Sequence, residues 1–159
     1  MLGGERSFKK NFLRMNGGPR ATLSAVLRML VELIARRAIL AVRFEREPLD
    51  RLLAVLDRGP RSAVLNGDLS VAMAWADSVA DRVPALPKTC LYRSLARFAA
   101  LRARGVDARF VMGLPRSQGG DGHAWVEIDG APYLEDEDVS AMAVTFCYPP
   151  PSTANPLGD

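Results

Sequence analysis

Cys90, His123 and the acids Glu135 and Asp136 are the residues of this sequence whose types could do covalent chemistry together. His123 is the chain's only histidine and Cys90 is one of its two cysteines. A thiol attacks a carbonyl when a neighbouring imidazole takes its proton, and a carboxylate behind the imidazole fixes the tautomer and steadies the charge the ring acquires. The chemistry on offer is acyl transfer through a thioester, provided that the fold brings these parts together. No phosphate-binding glycine motif and no cluster of metal ligands occurs in the sequence. Hydrolysis by a thiol needs no cofactor, and none is expected.

The element carrying Cys90 reads as a helix. Leu91, Leu95, Phe98, Ala99 and Leu101 recur with helical period, Thr89 stands where an N-cap belongs, and Gly105 stands where a C-cap glycine belongs. Cys90 is then a first-turn residue. There the unsatisfied backbone N–H groups and the positive end of the helix dipole favour negative charge on the sulfur, and the same N–H groups suit the oxyanion of a tetrahedral intermediate.

The histidine reads as part of a strand. Ala108 to Met112 is rich in β-formers, and His123 to Ile128 alternates, with His123, Trp125 and Glu127 on one face and Ala124, Val126 and Ile128 on the other. Asp129-Gly130 is a strong hairpin signal, so the chain is expected to return from Ala131 to Glu135 beside the histidine strand. A two-residue loop places Asp136 opposite His123, with Glu135 on the other face; one more loop residue places Glu135 on the histidine face. Either acid is a candidate partner for the imidazole.

Three runs of residues carry a family resemblance. The run Cys90-Leu91-Tyr92-Arg93-Ser94-Leu95-Ala96, the segment Arg102 to Gly113 and the run His123-Ala124-Trp125-Val126-Glu127-Ile128-Asp129-Gly130 together resemble the leader peptidase of lasso peptide biosynthesis, a transglutaminase-like cysteine peptidase. The resemblance covers roughly Asp68 to Asp138. It implies Cys90 as nucleophile, His123 as base and Glu135 at the position where the family usually has aspartate, with Asp136 next to it. It also implies a lasso precursor (leader) peptide as substrate, a separate leader-recognition protein and an ATP-dependent macrocyclase as partners. Trp125 is expected to wall the site and, with Arg93, to contact substrate. Cys147 reads as a packed strand residue.

The remainder of the chain must position this stretch. Its length of 159 residues, with 48% hydrophobic and 25% charged residues, fits one ordinary globular domain. Helices precede strands, which is an α+β order. Residues 1–67 read as an N-terminal helical region, 68–148 as a transglutaminase-like catalytic core with a small antiparallel sheet, and 149–159 as a proline-rich tail. Phe8, Phe12 and Met15 suggest a short amphipathic helix within residues 1–18 that lacks the uninterrupted apolar core of a signal peptide. Leu23, Val26, Leu27, Leu30, Ile34, Ala38 and Val42 form a longer helical stripe. Arg28, Glu32, Arg36, Arg37 and Arg43 rule this helix out as a membrane span.

Short helices are expected around Leu49 to Leu56 and Val71 to Val79, the second following an Asn66-Gly67-Asp68 break. Leu114 to Asp121 reads as a loop at the rim of the site, and Val139 to Tyr148 as one more strand. Residues 1–61 carry 13 Lys or Arg against 6 Asp or Glu, a net of +7, while residues 62–159 carry a net of −4. A solvated basic face explains this better than nucleic acid, for which no recognition motif and no interleaved aromatics are present. Two cysteines offer no disulfide framework, which suits a reducing cytoplasm. Two other functions fit the same residues: a transglutaminase-like acyltransferase or amidase, and a peptide-binding module without catalysis.

Overall fold

The apolar stripe that begins at Leu23 forms helix α1 (Leu23–Phe44) in the computed structural model, which describes residues 22–58, 67–116 and 120–150. Thr22 caps it, its hydroxyl accepting from the N–H of Ala25 at 3.3 Å. Pro48 introduces α2 (Leu49–Leu56), and α3 (Gly67–Ala80) and α4 (Cys90–Arg102) follow. The strands are β1 (Ala108–Pro115), β2 (His123–Ile128), β3 (Ala131–Pro132) and β4 (Met142–Tyr148), with a 3-10 turn at Val139–Ala141 before the last. They pair antiparallel in the order β3-β2-β1-β4. The fold is therefore α+β, with helices first and a small antiparallel sheet after them. The amphipathic segment at 1–18, the loop tip at 117–119 and the tail at 151–159 lie outside the described residues.

Helix α4 is the centre of this arrangement. It packs against α1 and α2 on one side and against β1 and β2 on the other, and every residue from Ser94 to Arg102 is buried. Its end is set by Gly105, which adopts φ 79°, with the N–H of Gly105 bonding the carbonyl of Arg102 at 2.9 Å and that of Val106 bonding Leu101 at 3.1 Å. This pair of bonds satisfies the last carbonyls of the helix, and the buried side chains of Leu101 and Val106 close it off. The chain then enters β1 directly. On the sheet side, the Ser94 hydroxyl donates to the carbonyl of Ala124 at 2.8 Å, so the helix is pinned to β2 beside His123.

Charge enters the core with the helices. Arg37 is fully buried and pairs with Asp77 and Asp81; Arg97 pairs with the other oxygen of Asp77; Arg102 pairs with Asp57 and Asp107. The expectation of a solvated basic face fails for Arg37, because its acidic partners lie on α3 and just past its end, far away in sequence. Elsewhere the differences concern boundaries. Helix α3 starts inside the expected Asn66-Gly67-Asp68 break, with Asp68 in its first turn, where a carboxylate complements the dipole. Strand β1 runs past Met112 to Pro115, because a register shift there lets Gly113, Leu114 and Pro115 pair with β4. No helix among the described residues is long and apolar enough to cross a membrane.

Glu32 on α1 joins the helices by bonding Arg104 beyond α4 and Arg36 on its own helix, at 2.5 to 3.0 Å. Burial pushes its carboxyl up, but the hydrogen bonds and charges of Arg104 and Arg36 outweigh burial and hold it below the ordinary 4.5. A lowered carboxyl stabilises the fold above its unfolded value, and that stability is lost as pH falls through the folded value. Urea melts taken below pH 4.5 should therefore show a shallower acid limb for Glu32→Gln than for the wild type. Parallel limbs would show that the cluster contributes nothing to acid sensitivity.

Candidate active site

Cys90 is the first residue of α4, and Thr89 occupies the N-cap with extended backbone, as the spacing predicts. The hydroxyl of Thr89 makes no capping bond, so it does not occupy the first-turn N–H groups of the helix. The thiol is free and half-buried. It opens on a cleft lined by Lys88, Thr89, Cys90, Arg93, Asp121, Gly122, His123 and Glu137. Nucleophile and base candidates thus face the same cleft, as does Arg93, one turn along the helix from Cys90.

His123 opens β2 opposite Gly113. A Cβ on Gly113 would lie 3.0 Å from the Trp125 ring and 3.0 Å from the Ala143 carbonyl, so the close approach of β1 to β2 and β4 here favours glycine. Trp125 stacks on the imidazole with ring centroids 6.1 Å apart and planes 13° from parallel, and its indole N–H donates to Glu127 at 3.0 Å. It is 1% exposed and does not line the cleft. Trp125 therefore backs the ring from behind.

Two carboxylates flank the imidazole. Glu135 Oε2 lies 3.3 Å from Nε2, with its side chain 1% exposed, and Glu137 Oε2 lies 3.5 Å from Nδ1, with its side chain 59% exposed. Nε2 and Glu135 Oε2 are within ion-pair range without completing a hydrogen bond. Contacts of this kind are often long before substrate binds. Glu137 lines the cleft and Glu135 does not, so Nε2 faces the interior and Nδ1 faces the cleft. Asp136 is exposed and makes neither contact among the described residues; its backbone N–H donates to Glu135 Oε1 at 3.1 Å.

The route by which Glu135 reaches the ring differs from both expected registers. The loop is the two-residue Asp129-Gly130, with φ 52° and 76°, and it pairs Ile128 with Ala131 and Glu127 with Pro132. Continued regularly, that register turns Asp136 toward His123. The ladder instead ends after Tyr133, whose N–H bonds the Val126 carbonyl at 2.8 Å, because Leu134 adopts φ 50° and breaks the strand. Glu135 Oε1 then accepts from the N–H groups of Asp136 and Glu137 at 3.1 and 3.2 Å. The resulting turn wraps the ring and brings alternate acids to its two nitrogens. Glu137 was not among the sequence candidates. Its signal was the unbroken acidic run from Glu135 to Asp138, which alternation along a strand does not resolve.

A family model described as Transglutaminase-like superfamily matches residues 27–147. No curated protein and no solved structure matches the chain. The matched span runs from within α1 to near the end of β4 and includes the residues around Cys90 and His123.

Tyr133 lies just before the acidic turn. Its hydroxyl meets Ser70 Oγ at 3.2 Å. Burial pushes the phenol above its ordinary 10.0, with Asp77 adding to the rise and the Ser70 bond and Arg97 charge offsetting part of it. A raised value means stability that is present below the unfolded value and lost as pH rises through the folded one. Phenolate absorbance should show one tyrosine ionising above 10.0 that is missing in Tyr133→Phe. If the ionisation lost in Tyr133→Phe lies at or below 10.0, the assignment is refuted.

Proposed function

The chain belongs to the transglutaminase-like superfamily, and on that premise we propose that it is a cysteine peptidase that removes the leader from a ribosomally made lasso precursor peptide. Supporting this reading above all is one arrangement: the imidazole of His123 turns Nε2 to the buried Glu135 and Nδ1 to the cleft that Cys90 lines. The likeness of the three sequence runs to lasso leader peptidases supplies the substrate class.

In this reading Glu135 accepts from Nε2–H and so selects the tautomer whose Nδ1 is free to act as base. Nδ1 takes the proton of Cys90 as sulfur attacks the scissile carbonyl, and the oxyanion is received by N–H groups at the start of α4. The intermediate collapses with transfer of that proton to the leaving amine, which departs as the freed core peptide. Water, deprotonated by Nδ1, then attacks the thioester; the leader leaves as a carboxylic acid and the thiol is restored. Trp125 holds the plane of the ring, and Arg93 contacts the peptide in the cleft. No metal or cofactor takes part.

A separate leader-recognition protein delivers the precursor, and an ATP-dependent macrocyclase uses the freed core. The leader-recognition protein raises the local concentration of the scissile bond beside Cys90 without altering the chemistry. The place of action is the cytoplasm, where the thiol stays reduced.

Cys90→Ala and His123→Ala should each abolish cleavage while leaving the protein folded, and the double variant should be little worse than either, because the pair acts as a unit. Cleavage by folded Cys90→Ala would sink the mechanism. Glu135→Gln should slow turnover by orders of magnitude and Asp136→Asn far less; the opposite ranking would make Asp136 the partner of the ring. Product masses decide between hydrolysis and transfer, since transfer to an amine gives a conjugate in place of a free acid. Adding the leader-recognition protein should speed cleavage about tenfold or more, and an equal rate without it would end the division of labour.

A further inference from the structure

We propose that Arg97 is a positioning residue that sets Glu135, and not Asp136, against His123. The inference rests on the reading of Cys90, His123 and Glu135 as the reacting set. Arg97 lies on α4, two turns after Cys90, and is 5% exposed. Its Nε donates to Asp77 Oδ2, while Nη1 donates to the carbonyl of Leu134 at 2.8 Å. Asp77 is itself held, because its other oxygen receives Arg37 from α1. The guanidinium is thus clamped at one end by a buried carboxylate and presents its other end to the residue immediately before Glu135.

That residue is the one that breaks the hairpin. Leu134 adopts φ 50°, a conformation that a leucine avoids unless its surroundings impose it. The hydrogen bond from Arg97 to its carbonyl is such an imposition. That bond opposes a return to the two-residue register, which would direct Asp136 to the histidine face and Glu135 away from it. Arg97 therefore chooses which acid meets the ring. Lysine cannot take its place, since an ammonium is a point charge and lacks the planar fork that spans Asp77 and the Leu134 carbonyl at once.

The test reads Cys90 directly and needs no precursor peptide. Iodoacetamide is reacted with the full chain across the acid-to-alkaline range, and carboxamidomethylation of Cys90 is resolved from that of Cys147 by peptide mass. Wild type, His123→Ala, Glu135→Gln, Arg97→Met, Arg97→Lys and the double variant Arg97→Lys with Glu135→Gln are compared, with circular dichroism and thermal melts reporting the fold. Arg97→Met removes a buried charge and puts folding at risk, whereas Arg97→Lys keeps a cation beside Asp77. Arg97→Lys is expected to shift the pH profile of Cys90 alkylation as Glu135→Gln does, with a rate change of about tenfold near neutral pH and no further change in the double variant. A structural role alone would lower the melting temperature and leave that profile unmoved. If folded Arg97→Lys alkylates with the wild-type profile while Glu135→Gln does not, the positioning role is overturned and the reacting set stands. If His123→Ala and Glu135→Gln also keep the wild-type profile, the reacting set falls and the inference falls with it.

Discussion

Asp77 is the residue on which the arrangement of this protein turns. Its side chain is 4% exposed and lies between two arginines that are as deeply buried, Arg37 from α1 and Arg97 from α4. A lone buried carboxylate or guanidinium is costly; together they satisfy one another. Removing one member of such a set typically costs about 3–5 kcal/mol, because the charge left behind has no water to turn to. Three helices are joined at this point, and the acidic turn is joined to them through the carbonyl of Leu134.

Around that ionic centre the core is apolar and ordinary. Leu33 and Leu40 of α1, Leu52 and Leu53 of α2, Met73 and Ala76 of α3, and Leu95 and Phe98 of α4 are buried together, and Phe110 and Val126 close the cluster from the sheet. Edge-to-face contacts of Phe98 with Phe110 and Tyr148 bind helix to sheet. Burial drives this collapse without specifying a rotation or a slide of α4. The directional bonds do that, Ser94 to β2 at one level of the helix and Arg97 to Asp77 and Leu134 at the next.

Much of this was legible in the sequence wherever local rules are decisive. The bounds of β2 follow from alternation, the turn at Asp129-Gly130 from the need for two residues at positive φ, and the end of α4 from Gly105. Long-range pairing was not legible. Arg37 looked like part of a solvated face, since nothing near it in sequence declares that Asp77 and Asp81 will bury it. The placing of the acid illustrates the same limit. Alternation left Glu135 and Asp136 open, and what brings Glu135 to the ring is a left-handed leucine held by an arginine from another element. Leucine has no local preference for that conformation, so no local pattern could announce it. The side on which Glu137 meets the ring follows from the same turn.

Cys90 begins α4, and Arg97 sits two turns along the same rigid rod. One end of that rod carries the thiol, and its next turns carry the hydroxyl that grips β2 and the guanidinium that grips the acidic turn. A displacement of the helix along its axis therefore moves the sulfur and the anchor of the carboxylate by the same vector. Sulfur-to-ring and acid-to-ring alignment are not independent degrees of freedom, and errors in the two are correlated. A substitution anywhere under α4 that shifts the rod acts on both sides of the imidazole at once. Compensation by a second substitution has only one coordinate to restore.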